Sequence, residues 1–228
     1  MFRGAIRSGV VASMLAAWVL AWPLTGLAET RADLFRAAAL DDESSVVSMV
    51  LKGLDVGAQD ENGQTALLIA AREGSLKVAR FLLKQRSVKV EARNNNGESP
   101  LMMAALKGHL DLARELIERN AEVNKPGWAP LHYACSNSEP ESKAMVALLL
   151  EHHAYIDAES PNRTTPLMMA ARYGHPDAVQ LLLDEGADPS LRNEKGLTAV
   201  DFARSAGRND LANLIATPIR AKSGNGRW

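Results

Sequence analysis

The sequence predicts an all-α solenoid, a row of stacked helix–turn–helix units joined by short β-hairpin-like turns and preceded by a signal peptide. Three observations predict it. First, one short pattern recurs in register: Thr65-Ala66-Leu67, Ser99-Pro100-Leu101, Ala129-Pro130-Leu131, Thr165-Pro166-Leu167 and a degraded Thr198-Ala199-Val200. Second, the Leu or Val of each copy falls at 67, 101, 131, 167 and 200, at intervals of 34, 30, 36 and 33 residues. A fixed period of about 33 is the signature of a repeat built from a turn and two helices. Third, a stripe at i, i+3, i+4 follows each copy, as in Val179, Leu182 and Leu183. One unit cannot cover that stripe alone. Stacking buries it, at about 1.5–3 kcal/mol per large apolar side chain.

Within a unit each residue type has a physical task. Thr165 is placed to cap a helix N-terminus, and Pro166 suits the first helical position, where a missing N–H costs nothing. The Ala170-Ala171 pair lets helices approach closely. Gly174 and Gly186 each follow a helix, where a left-handed backbone is expected of glycine. These features, with Gly-His at 108–109 and 174–175 and Gly-Ala-Asp at 186–188, resemble the ankyrin repeat over roughly Thr30 to Ala216.

The chain has 228 residues, 46% hydrophobic and 23% charged, a globular composition. Residues 1–28 stand apart. Arg3 and Arg7 are their only charges, an apolar run from Val10 to Trp22 follows, and Gly26-Leu27-Ala28 ends them. This is the layout of a secretory signal peptide with cleavage after Ala28; the alternative is an uncleaved anchor, for which the run is short. Cleavage takes the formal charge from −1 to −3, since the leader holds two Arg and no acid. A weakly acidic solenoid is expected to bind neither nucleic acid nor, after cleavage, membrane.

The domain expected at 29–216 divides into a cap at 30–61, repeats at 62–95, 96–125, 126–161 and 162–193, and a second cap at 194–216; 217–228 reads as a flexible tail. In the first cap Val46, Val47, Val50 and Leu51 are expected to face inward. The second helix of the next repeat ends at Lys84-Gln85-Arg86 without glycine. The repeat at 126–161 is irregular twice: its leading turn before Trp128 is three residues short, and three extra residues lie within Asn137–Ser142.

Little in the chain points to chemistry. Cys135, the only cysteine, stands in the second position of the Ala pair and reads as a small buried hydrophobe, against a reactive thiol. His152-His153 is a surface pair at a helix end. The resemblance implies structural roles for His109, His132 and His175, with each ring bonded to backbone of the adjoining turn. The Met102-Met103 and Met168-Met169 pairs read as core rather than a soft-metal site. No nucleophile elbow, phosphate loop or metal motif is present, so no enzyme, cofactor or metal is expected.

What the resemblance implies is protein binding, through turn tips and the exposed end of each first helix. Those positions are Arg72 and Glu73, Leu106 and Lys107, Trp128, Ser136 and Asn137, and Arg172 and Tyr173. Leu106, Trp128 and Tyr173 are the apolar members, expected to be exposed on consecutive repeats, although Trp128 also suits covering the gap left by its shortened turn. The expectation is a monomeric, non-enzymatic scaffold in the periplasm that supports or regulates an exported protein. The alternatives are an immunity protein against a periplasm-acting toxin, or a secreted effector directed at a host.

Overall fold

The computed structural model describes residues 24–224. Among them are twelve helices and no strand. The helices come in pairs: α1 (Leu24–Ala39) with α2 (Glu43–Leu51), α3 (Ala66–Glu73) with α4 (Leu76–Leu82), and α5 (Pro100–Lys107) with α6 (Leu110–Glu118). Then follow α7 (Pro130–Ala134) with α8 (Ser142–Glu151), α9 (Pro166–Tyr173) with α10 (Pro176–Asp184), and α11 (Ala199–Ser205) with α12 (Asn209–Gly224). The first helices of the pairs pack in sequence from α1 to α11 and the second helices from α2 to α12, giving two layers. The signal peptide expected at 1–28 lies outside the described residues except at 24–28, which are part of α1.

The helix starts follow from the repeated hydroxyl. The Thr65, Ser99, Thr165 and Thr198 side chains each accept the backbone N–H three residues on, filling one orphan donor of the first turn. The return bond is unusual. The Ser99 and Thr165 N–H groups donate to the Met102 and Met168 sulphurs, both at 3.4 Å, where a capping box commonly has a carboxylate. The Thr198 N–H meets the Asp201 carboxylate at 2.8 Å. Behind the caps, Ala70-Ala71, Ala104-Ala105 and Ala170-Ala171 are fully buried, so neighbouring helices meet over small side chains. Val78, Leu82, Leu112, Leu116, Val179 and Leu182 of the second helices close the core from the other layer.

Four turn tips are hairpin-like. Each is closed by two backbone bonds: Asp60 N–H to Gln64 O with Gly63 N–H to Asp60 O, and the same pairs at 94–98, 160–164 and 193–197. The side chain that opens each tip (Asp60, Asn94, Ser160, Asn193) accepts further backbone N–H groups. Successive tips are tied together by Asn95 N–H to Asn62 O at 2.9 Å and Glu194 N–H to Asn162 O at 3.1 Å.

Several sequence expectations need correction. Gly74 and Gly108 are left-handed (φ 78° and 75°), but Gly174 is extended, with φ −75° and ψ 170°. Its glycine is required by close approach, since a Cβ there would lie 2.6 Å from the Cys135 carbonyl oxygen. Leu51 is 82% exposed rather than inward. The inward stripe of α2 is Val46, Met49 and Val50, at i, i+3, i+4, and Leu51 is about 140° around the helix from Val46. After α4 no left-handed residue is used; Lys84 and Gln85 N–H groups close the turn onto Phe81 and Leu82 carbonyls. Regular structure also runs past 217, because α12 continues to Gly224. Leu211, Ala212 and Ile215 anchor that helix in the core.

Candidate functional site

Positions on a first helix are separated by about 100° per residue. Counting from the buried Leu or Val of each copy, the residues two, five and six places on point about 140–240° away, opposite the second-helix layer. The residue two places on is Ile69, Met103, Tyr133, Met169 and Phe202 in successive repeats. Ile69 and Met103 are buried, while Tyr133, Met169 and Phe202 are half-buried and packed on the core edge. The face is therefore apolar along its length and more accessible towards the C-terminal repeats. Sequence reading passed over this row, assigning Met168 and Met169 alike to the core. Helical phase separates them: Met168 is 1% exposed and Met169 is half-buried.

The predicted contact residues distribute unevenly over that face. Arg72 and Glu73 bond to each other at 2.8 Å. Lys107 is exposed, but Leu106 is half-buried against the core rather than free. Arg172 and Tyr173 are exposed, with the guanidinium 5.2 Å from the Tyr173 ring centre. Tyr173 is 49% exposed and Leu197, at the last tip, 40%. Ser136 is half-buried and donates to the His132 carbonyl. Asn137 was expected to be exposed and is not. It is 8% exposed, its side chain accepts the Glu139 N–H at 2.9 Å, and its carbonyl accepts the His175 N–H at 3.2 Å. The inserted loop thus begins as a tie to the next repeat, leaving Ser138, Glu139, Pro140 and Glu141 outside.

The shortened turn at 124–128 makes a notch between the tips at 94–98 and 160–164. Lys125 closes one side by donating to Gly97 O at 3.0 Å; burial and the nearby Arg93 cation lower its pKa. Trp128 lies half-buried at the other side, its ring edge-on to His132 with centres 5.3 Å apart. His132 itself is buried. Its Nδ1 accepts the Ala129 N–H at 3.2 Å and its Nε2 donates to Thr164 O at 3.0 Å. Burial lowers its pKa, so the ring is held neutral. Tyr133 reaches from the apolar row towards Glu98 at 3.5 Å, and burial beside that carboxylate pushes its hydroxyl up to about 12.

The other histidines divide. His109 Nε2 reaches the Arg72 carbonyl of the preceding repeat at 3.2 Å. His175 does not reach back; its Nδ1 accepts the Asp177 N–H of its own helix. Pro176 follows it and holds it extended. Carbonyls at the end of α9 are taken by Arg208, which donates to Ala170, Ala171 and Gly174 oxygens at 3.0, 3.0 and 2.6 Å. Cys135 is wholly buried, which pushes its thiol up and keeps it un-ionised. Among the described residues no group of three or more His, Cys, Asp or Glu side chains is placed to hold a metal ion. None of their helices is long and apolar enough to cross a membrane.

Comparison with known proteins agrees with this geometry. Models of ankyrin repeats match residues 34–126, 88–160 and 149–203. The human NAD-capped RNA hydrolase NUDT12 is 38% identical over 96 residues, which are 42% of this chain and 20% of that protein. The human transient receptor potential cation channel subfamily A member 1 is 26% identical over 192 residues, 80% of this chain and 17% of the channel. The chain thus spans a fifth or less of these relatives. Among solved structures, a chain of the complex of Bd0816, a predatory endopeptidase from Bdellovibrio bacteriovorus, with the immunity protein Bd3460 is similar with a TM-score of 0.69 and 34% identity. That match covers 81% of this chain and 96% of the other.

Proposed function

Because the chain belongs to the ankyrin repeat family, and is in that sense a protein-binding scaffold, we propose that it is an exported immunity-type protein that holds an enzyme of its own compartment inactive. The observation that carries this reading is the near-complete match to one chain of an endopeptidase–immunity protein complex. Of the two roles in such a complex, a stacked-helix chain whose one cysteine is buried and whose His132 is engaged with backbone on both ring nitrogens suits the immunity role. Catalysis needs a nucleophile, base and charge-stabilising group converging on one point. The partner sits on the face carrying Met169, Tyr173 and Phe202, with the notch beside Trp128 admitting a projecting loop of the enzyme. Large apolar and aromatic side chains with Arg172 beside Tyr173 provide the anchors of such an interface.

The export part of this reading rests on the leader-like pattern of residues 1–28. Sequencing the N-terminus of the protein recovered by osmotic shock is expected to begin at Glu29; recovery from the medium instead would favour a secreted effector. The function is tested by assaying exported endopeptidases of the same organism with and without the chain. One of them is expected to lose activity and co-elute with it. Tyr173→Ala with Met169→Ala is expected to weaken that complex by about tenfold or more while the fold still melts cooperatively. An endopeptidase whose activity rises on binding would replace inhibition with a supporting role. Absence of any complex would sink both.

A further inference from the structure

The net charge of the chain hides an uneven distribution. From Gly74 to Val90 there are five cations and no acid. Lys77 and Arg80 lie at i, i+3 on the outward side of α4, opposite the buried Val78, Ala79 and Leu82, and Lys84 follows at i+7 in the turn after it. Arg86 and Lys89 continue beyond the helix, and all five are exposed. Only Arg80 has an anionic partner, Glu115 of α6; among the described residues Lys77, Lys84, Arg86 and Lys89 have none. The same outward positions are Asp111, Arg114 and Glu118 on α6, and Asp177, Gln180 and Asp184 on α10. The basic face is therefore confined to one repeat.

It also has an apolar neighbour. α2 packs beside α4, and Leu51, 82% exposed, is the last residue of α2, while Lys84 lies in the turn after α4. An exposed leucine flanked by long flexible cations is the composition of a surface that meets lipid headgroups, where apolar atoms enter the interface and ammonium groups stay with the phosphates. A protein partner is the weaker fit. Lysine is depleted in protein interfaces, and the one aromatic residue of the stretch, Phe81, is packed against the core.

We infer that the outer face of the first two repeats, centred on Leu51, Lys77, Arg80 and Lys84, docks onto an anionic membrane surface. The inhibitory face proposed above lies on the other helix layer, so both surfaces can be occupied together. The chain would then act at the bilayer rather than free in solution.

Flotation of the protein as isolated, with vesicles of equal parts phosphatidylglycerol and phosphatidylcholine or of phosphatidylcholine alone, tests this. Binding is expected only to the anionic vesicles and is expected to fall steeply with salt. The variant K77E/R80E/K84E, checked for an unchanged melting curve, is expected to lose at least about tenfold in binding, and Leu51→Asn a smaller factor. Failure to bind anionic vesicles at low salt overturns the inference. So does equal binding to both vesicle types, which would assign the interaction to an apolar segment, or charge reversal that leaves anionic binding intact. Loss of affinity for a protein partner with no vesicle binding would overturn it by giving the patch to a protein interface.

Discussion

Repeats 126–161 and 162–193 stack directly on each other and carry nearly the same motif, but they solve the same problem with different atoms. The second opens with Thr165, whose hydroxyl accepts the Met168 N–H, and runs for eight residues as α9. The first has Ala129 in that position, no side-chain cap, and a five-residue α7. The His132 N–H that a hydroxyl would have held turns onto the Ala129 carbonyl at 2.9 Å, and the His132 ring makes the return bond that Met168 makes in α9. His132 holds the Ala129 N–H on one nitrogen and a carbonyl of the next repeat on the other. The regular repeat is stabilised by many small local terms. The irregular one lacks the capping hydroxyl, and its His132 ring also joins it to its neighbour.

If so, damage should be unequal. His132→Ala is expected to cost about 3 kcal/mol in urea unfolding, since it opens a cavity and leaves the buried Ala129 N–H unpaired. Trp128→Ala is expected to cost about 2 kcal/mol, more than an exposed anchor would, because the ring covers His132 in the notch; a stability change near zero with a large loss of partner affinity would make Trp128 a contact residue instead. Thr165→Ala in the regular repeat is expected to cost only about 1 kcal/mol.

A smaller effect has the opposite sign. Arg163 occupies the tip position that is Gly63, Gly97 and Gly196 elsewhere, and has a φ of 60°. Its bonds to Glu159 are solvent-exposed and offset little of that strain. Arg163→Gly is expected to stabilise by about 0.5 kcal/mol, read as a raised melting temperature.

The last contrast depends on pH. In the unfolded chain the His132 ring protonates near its ordinary 6.5, while burial in the fold lowers that value. Below about 6.5 the unfolded state therefore takes up more protons than the folded one, and stability declines as pH falls through the folded pKa. His132→Gln should flatten that slope. A slope unchanged by the substitution would assign it to other groups.

The frame was legible because its determinants are local and repeated. Hydroxyl caps, prolines at the first helical position and alanine pairs each state their task in the residue type. What escaped depends on phase or on a neighbouring repeat. Met169 and Leu51 were misplaced by one step of helical rotation. Asn137 reads as surface until the backbone of His175 arrives beside it, a contact between residues far apart in sequence. Gly174 is the instructive case, since Pro176 was there to be read. A proline restricts the residue before it to extended geometry, so the turn at 174–175 cannot repeat the one at 108–109. The predicted binding residues were chosen from register alone, and register separates exposed Tyr173 from packed Leu106 only when the depth of each repeat is known.

The bonds that tie one repeat to the next have a bearing on how the chain acquires its shape. The Lys125 to Gly97 contact joins residues 28 apart, and the Arg208 to Ala170 contact residues 38 apart. A sheet protein of this length must wait for its two ends to meet; here each new unit finds a finished template immediately behind it. Loop closure is short throughout, which favours rapid folding. Structure can also advance vectorially, unit by unit, as a chain emerges end-first from a pore.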